Sequence, residues 1–121
     1  MQKFSKLRVW QEAHRLALFI YQASRVFPPG ERFGMTSQLR RAAASVPTNI
    51  AEGSKRRWNA DYARFLNLAE ASLAETESLL LLCRDLNYLS SEVTKKLLWE
   101  CLGVARRLHA LRVRVEQSPD R

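Results

Sequence analysis

Apolar residues recur every three or four positions along four stretches of the chain, a spacing that places them on one face of an α-helix. The clearest stretch is the third, in which this pattern is sustained over about 25 residues. Its members are Tyr62, Phe65, Leu66, Ala69, Leu73, Thr76, Leu80, Cys83 and Asn87. Turn-forming residues separate the stretches, as in Pro28-Pro29-Gly30, Gly53-Ser54 and Ser90-Ser91. The sequence therefore predicts helices at about 6–27, 36–56, 59–87 and 90–116.

Four amphipathic helices with short connections predict an all-α protein, an antiparallel up-down-up-down four-helix bundle. The 121 residues form one predicted domain, 1–121, which is long enough to bury a core. No run alternates apolar and polar residues between turns, as a β-strand would. Thr36 and Asn59 are the predicted N-caps of the second and third helices, and Ser90 precedes the fourth.

The second predicted helix contains Pro47, which lacks an N–H group and whose ring clashes with the carbonyl of Ala43. The helix is therefore expected to kink there, or to break and restart. A lane of polar or small side chains flanks its core stripe and can bond the freed carbonyl or a neighbouring helix. The predicted structural or interface motif comprises Gln38, Ser45, Pro47, Asn49, Glu52 and Gly53.

The chain is basic, with a formal net charge of +8, but its charge is uneven. Residues 61–90 hold two basic and five acidic side chains, which gives −3, whereas the rest of the chain is positive. Such a field favours polyanions, so a nucleic-acid surface is one interpretation. Its candidate residues are Arg40, Arg41, Lys55, Arg56, Arg57 and Arg64. The alternative is a solvated charged face with local pairs such as Glu52–Arg56. Trp58, beside the basic run, is a candidate for stacking on a base.

The sequence predicts no catalytic residues, no metal site and no cofactor. His14 and His109 lack the Glu three positions earlier that a di-iron bundle uses. Cys83 and Cys101 lie in apolar helical runs, which favours buried thiols in a reducing compartment. No apolar run approaches the roughly 18 residues of a membrane span, and no signal-peptide pattern opens the chain. We therefore expect a cytoplasmic protein without membrane contact.

The first and fourth helices carry more apolar residues than one buried face requires. The surplus includes Leu18 and Phe19 on the first helix and Trp99 and Leu102 on the fourth. A second apolar face indicates contact between copies of the chain. The alternative is a wide core stripe with ordinary apolar surface residues.

Several short motifs together make the chain similar to a known family. They are Val9-Trp10, Phe27-Pro28, Glu31, the Gly34-to-Arg41 run, Ser45, Pro47, Asn49-Ile50-Ala51-Glu52-Gly53 and Phe65-Leu66. Over residues 4–116 the chain resembles small bacterial four-helix bundle proteins encoded in intervening sequences of 23S ribosomal RNA genes. The resemblance implies an antiparallel four-helix protomer and a ring-like homo-oligomer, with a pentamer favoured. A more distant relative is the accessory variability protein of diversity-generating retroelements, a basic pentameric barrel that works with nucleic acid and a reverse transcriptase.

Two functions follow from these features. The first is an oligomeric, non-enzymatic bundle that binds RNA or DNA through basic surfaces, as the charge and the resemblance favour. The second is a scaffold that docks a partner protein without binding nucleic acid, which the acidic third helix and the spare apolar faces fit equally.

Overall fold

The computed structural model describes residues 3–120, and within them it is helical and contains no strand. Its four helices are α1 (Arg8–Ala23), α2 (Met35–Ser54), α3 (Asn59–Asp85) and α4 (Ser91–Gln117). Three short 3-10 turns span Phe4–Lys6, Ser24–Val26 and Pro29–Glu31. None of the helices in the described range has the length and hydropathy of a membrane span.

The helices form a four-membered bundle in which each packs against the next and α4 packs against α1. In the contacts between neighbouring helices, residue numbers rise along one helix as they fall along the other. These contacts are Tyr21–Arg40 between α1 and α2, Ser45–Ser72 and Gly53–Phe65 between α2 and α3, Glu70–Arg112 and Asn59–Asp120 between α3 and the end of α4, and Arg15–Glu100 and Glu12–Arg107 between α1 and α4. Neighbouring helices are therefore antiparallel, as predicted.

The core lies where the four predicted apolar stripes meet. Its largest fully buried apolar side chains are Leu16, Ile20, Leu39, Ile50, Leu66, Leu80, Leu108, Val46 and Val104. The buried hydroxyl of Thr76 donates to the Ser72 carbonyl at 2.8 Å, and that of Thr94 donates to the Ser90 carbonyl at 2.8 Å. Burial of these hydroxyl groups leaves neither donor unsatisfied, because each bonds to a carbonyl four residues earlier in the chain.

Several helix ends differ from the predicted bounds. α2 begins at Met35, so Thr36 is a buried helical residue and Gly34 takes the N-cap position. Trp58 takes that position before α3, because the Asn59 side chain bonds instead to carbonyls near the C-terminus. α3 ends at Asp85, since Asn87 adopts a positive φ of 64° that stops the helix.

Ser90 is the N-cap of α4, as predicted. Its hydroxyl oxygen accepts the Val93 N–H at 3.1 Å and so satisfies one unpaired donor of the first turn.

α2 does not break at Pro47. The helix is continuous from Met35 to Ser54, and the proline ring is buried within it. Two side chains that follow the proline bond carbonyls of the preceding turn: Thr48 donates to Ala44 at 2.8 Å and Asn49 to Ser45 at 2.9 Å. These bonds hold the turn in which Pro47 cannot donate to the Ala43 carbonyl.

Candidate nucleic-acid interface

Four of the six predicted basic residues lie together where α2 turns into α3. We call Lys55, Arg56, Arg57 and Arg64 the basic end. The Lys55 N–H bonds the Glu52 carbonyl at 3.2 Å and the Arg56 N–H bonds the Gly53 carbonyl at 3.0 Å, which closes the last turn of α2. Arg57 and Trp58 then lead directly into α3, so the first three cations occupy one short, exposed turn.

Gly53 permits this arrangement because it has no side chain. A Cβ atom at this position would lie 2.7 Å from the Phe65 Cβ, 3.1 Å from the Tyr62 Cδ1 and 3.3 Å from the Tyr62 carbonyl oxygen. These separations are shorter than ordinary carbon contacts of about 3.5–4.0 Å. The end of α2 therefore lies directly against Phe65, and the basic residues follow from that point.

Each cation of the basic end lies over an aromatic ring. The guanidinium carbons of Arg56 and Arg64 are 4.5 and 4.7 Å from the centroid of the Phe65 ring. Arg57 lies 4.7 Å from the Trp58 ring centroid. Cation–π contact orients these side chains while leaving their N–H groups available to an anion. Lys55 is more distant from its ring, at 6.0 Å from Phe4.

The basic end keeps most of its charge unpaired. Arg64 Nε lies 3.7 Å from Asp61 Oδ1, and both side chains are about half exposed, so this pair contributes little. Within residues 3–120, Lys55, Arg56 and Arg57 make no ion pair. The Glu52–Arg56 pair considered from the sequence is not formed, so three adjacent cations remain available to an external anion.

The chain end beyond α4 is fixed beside the basic end. Asp120 Oδ1 accepts the Asn59 N–H at 2.9 Å, and the Asn59 side-chain amide donates to the Pro119 carbonyl at 2.8 Å. These bonds satisfy a donor at the start of α3 and hold residues 118–120 against it. The carboxylate is therefore engaged with the backbone rather than with the arginines.

Arg40 and Arg41 lie in the other half of α2. Fourteen residues separate Arg41 from Lys55, which is about 21 Å along the helix axis. Arg40 donates from Nε to Ser24 Oγ at 2.8 Å and from Nη2 to the Tyr21 carbonyl at 3.1 Å. It thus caps the last turn of α1, where a cation is favoured. Arg41 is exposed, and its side chain donates to Ser37 Oγ at 3.3 Å. The six predicted residues therefore occupy two separate regions rather than one surface.

The predicted polar lane on α2 faces α3 in its central part. Ser45 Oγ lies 2.8 Å from Ser72 Oγ, a hydrogen bond between the two helices. The Asn49 amide donates to the Ser45 carbonyl and to its hydroxyl oxygen, at 2.9 and 3.0 Å. Gln38 and Glu52, at the outer positions of the lane, are exposed.

Glu31 links the loop before α2 to the turn after α3. Its Oε2 accepts the Tyr88 hydroxyl at 2.7 Å, and its Oε1 accepts the Met35 N–H at 3.2 Å. These bonds lower the pKa of Glu31, chiefly through Tyr88, and raise the pKa of the Tyr88 hydroxyl. Phe27 packs beside Tyr88 with ring centroids 5.5 Å apart. The sequence marks Glu31 and Phe27 only as residues of the family motifs, because Tyr88, their common partner, lies 57 residues beyond Glu31.

One acidic side chain of α1 and one of α3, Glu12 and Glu70, pair with basic residues of α4. Glu70 of α3 binds Arg112 and lies 3.8 Å from His109 Nδ1. Glu12 Oε1 lies 2.7 Å from Arg107 Nε, an ion pair without the alignment of a hydrogen bond. On the acidic third helix, Glu70 is therefore paired within the protomer.

The remaining candidates for chemistry are occupied or unreactive. The His14 ring stacks on Trp10 with centroids 4.7 Å apart. Burial raises the pKa of Cys83 to about 11 and that of Cys101 to about 12, so both thiols stay protonated at neutral pH. No cluster of three His, Cys, Asp or Glu side chains able to hold a metal ion occurs in residues 3–120.

Comparisons with known proteins agree on a family and a fold. Residues 5–110 match the family model of the 23S rRNA-intervening sequence protein. A solved protein of unknown function from Bacteroides thetaiotaomicron, described as belonging to the S23 ribosomal protein family, superposes with a TM-score of 0.77. The two are 23% identical over 86% of this chain and 97% of that one, a likeness that concerns the fold. No curated protein matches the chain.

Proposed function

Because this chain belongs to the 23S rRNA-intervening sequence protein family, we propose that it is a non-enzymatic, cytoplasmic homo-oligomer that binds RNA or other nucleic acid through its basic end. The observation that carries the proposal is the run of three adjacent cations, Lys55 to Arg57, without ion-pair partners in residues 3–120. Phosphate oxygens supply the partners that the protomer lacks, and the release of counterions drives such binding.

The aromatic rings of the basic end favour single-stranded nucleic acid. Trp58 is 45% exposed and lies within the cationic turn, where a base can stack on it. Bases of a duplex are already stacked, so an exposed ring gains little from them. We therefore expect a single strand or a loop to bind more tightly than a duplex of the same length.

The test is binding of a labelled single-stranded RNA as a function of salt concentration. The variant Lys55→Gln/Arg56→Gln/Arg57→Gln removes three cations. Each phosphate contact contributes about 0.7 to the slope of log K against log salt for a single strand, so the slope should fall by about 2. A matched control, Arg25→Gln/Arg32→Gln/Arg41→Gln, removes three exposed cations outside the basic end.

The outcomes separate the site from the activity. Binding weakened by the first variant and little changed by the control supports the basic end. Equal weakening by both variants would show a diffuse charge effect and refute the site. Absence of binding to the unaltered protein at low salt would refute the function, and would favour the alternative, a scaffold that docks a partner protein.

The proposed assembly is a pentamer, as the family resemblance implies. Light scattering should then give a mass of about 70 kDa, five times the 14.0 kDa protomer. A monomer at micromolar concentration would contradict this part of the proposal while leaving the RNA measurement interpretable.

A further inference from the structure

The outward face of α3 has the composition of a helix-packing surface although it faces solvent. Its exposed positions between 67 and 82 are Asn67, Leu68, Ala71, Ala74, Glu75, Ser78, Leu81 and Leu82. Of these eight exposed residues only Glu75 is charged, since Glu70 and Glu77 are partly buried, and the three leucines remain 37–45% exposed. Solvated helix faces carry many more charges, and alanine and serine allow another helix to approach closely. We call these eight residues the α3 ridge.

A second apolar surface lies between α1 and the first half of α4. It is an open groove of about 1060 Å³. Its apolar lining consists of Phe19, Ala23, Val93, Leu97, Leu98, Trp99 and Leu102. Trp99 is 72% exposed, which leaves most of a large apolar ring in water. We call this surface the α1–α4 groove.

We propose that the α3 ridge of one copy packs into the α1–α4 groove of the next copy. This rests on the homo-oligomer in the proposed function and specifies its contact. A convex, small-residue ridge and a concave, aromatic-lined groove are complementary in shape and in polarity, and one chain carries both. Burying them together removes the exposed leucines of the ridge and the exposed Trp99 ring of the groove from water.

Charge supports the same pairing. Lys95 lies at the edge of the groove and Glu75 lies on the ridge, and neither has an ion-pair partner within residues 3–120. Opposite charges at the edge of an apolar contact fix its register and disfavour ridge-to-ridge pairing, which would bring the Glu75 side chains together. The groove lining also contains Glu92 and Glu100, but these pair with Lys96 and Arg15. This leaves Lys95 for the Glu75 of a neighbour.

Contact between two different surfaces of the same chain is head-to-tail. In the bundle α3 packs against α2 and α4, whereas the groove lies between α1 and α4. A head-to-tail contact closes into a ring when the rotation from one copy to the next closes, as the proposed homo-oligomer requires, and otherwise forms a helical filament. Every copy then contributes one ridge and one groove.

The test uses two variants that each block one surface. Ala74→Arg places a charge on the ridge, and Trp99→Arg places one in the groove. Both sites are exposed, and circular dichroism checks that the bundle remains helical. Ala110→Arg, at an exposed site in the second half of α4 outside the groove, is the matched control. Light scattering measures the mass of each protein alone and of a 1:1 mixture of the two blocked variants.

Each blocked variant alone should be a monomer, and the mixture should give a dimer of about 28 kDa, twice the protomer mass, and nothing larger. The dimer forms because one copy retains a groove and the other a ridge. A mixture that stays monomeric, or single variants that assemble like the control, would overturn the inference while the unaltered protein still assembles. A monomeric unaltered protein would overturn the homo-oligomer itself.

Discussion

Replacing Gly53 with alanine tests whether the end of α2 is held against α3 as tightly as the distances indicate. The added methyl group would have to fit 2.7 Å from the Phe65 Cβ and 3.1 Å from the Tyr62 Cδ1. The Phe65 Cβ is fixed to the α3 backbone, so relief requires α2 and α3 to move apart by nearly 1 Å. Overpacking of this kind costs about 1–3 kcal/mol.

Two effects of opposite sign determine the net change. Alanine in a helix is more favourable than glycine by about 1 kcal/mol. Gly53→Ala should therefore destabilise the protein by roughly 0–2 kcal/mol. Gly103 provides the matched control, because it lies inside α4 and a Cβ there would meet nothing within 4 Å. Gly103→Ala should stabilise the protein by about 1 kcal/mol, so the two variants should differ by about 1–3 kcal/mol.

Urea unfolding followed by circular dichroism, at several protomer concentrations, measures both free energies of unfolding. The concentration series separates protomer stability from assembly. Equal stabilisation by the two substitutions would refute the close approach at Gly53. If Gly53→Ala also weakens RNA binding while Gly103→Ala does not, displacement of Phe65 has disturbed the arginines above it.

Three further predictions concern titratable groups. Because folding lowers the pKa of Glu31, its ionised carboxylate stabilises the folded protein above about pH 4.5. This stabilisation is lost as the pH falls through the pKa of Glu31 in the folded state. Tyr88→Phe should therefore make the melting temperature fall less steeply between pH 6 and pH 2 than in the unaltered protein. Equal pH dependence of the two melting temperatures would contradict this prediction. Burial raises the pKa of Glu77, so its ionised form is disfavoured in the fold. Glu77→Gln should therefore stabilise the protein at pH 7 and lose that advantage in acid, and a loss of stability at pH 7 would be the opposite result. Cys83 and Cys101, with pKa values of about 11 and 12, should react with a thiol reagent at pH 8 only as fast as the bundle opens. A rate independent of added urea would show that they are accessible in the fold.

Periodicity alone predicted the bundle because apolar spacing reports directly on burial. The apolar positions spaced by three or four residues from Tyr62 to Cys83 form the buried face of α3. The start of α4 at Ser90 could be predicted because a serine side chain readily accepts an N–H of the first helical turn. Of the two outcomes expected at Pro47, a kink or a break, the break did not occur, because α2 is continuous from Met35 to Ser54. Thr48 and Asn49 of the following turn donate to the Ala44 and Ser45 carbonyls. A proline rule treats the backbone alone and cannot include those bonds.

Tertiary contacts were beyond sequence reasoning. Arg40 and Arg41 are adjacent in sequence, yet one caps α1 and the other faces solvent. The distinction depends on where α1 ends relative to α2. The α3 ridge was also missed. From the sequence, leucine and alanine on a second helix face are indistinguishable from part of a wide core stripe, and only the packing of the neighbouring helices shows that this face is exposed. The available signal was the set of leucines and alanines that fall outside the 3-4 spacing of the buried stripe, at Leu68, Ala71, Ala74, Leu81 and Leu82.

The residues that carry the family resemblance mainly position α2, whereas those of the basic end do not. Glu31 caps its start, Arg40 ties it to α1, Ser45 bonds it to α3, and Gly53 lets its end lie against Phe65. Lys55 to Arg57 begin just after these markers and make no ion pair within the described part of the chain. Family membership therefore accounts for the fold. The proposed nucleic-acid binding depends on a short turn whose side chains can be changed while the four contacts at Glu31, Arg40, Ser45 and Gly53 remain. That separation is why charge variants in this turn can test the function without also testing the fold.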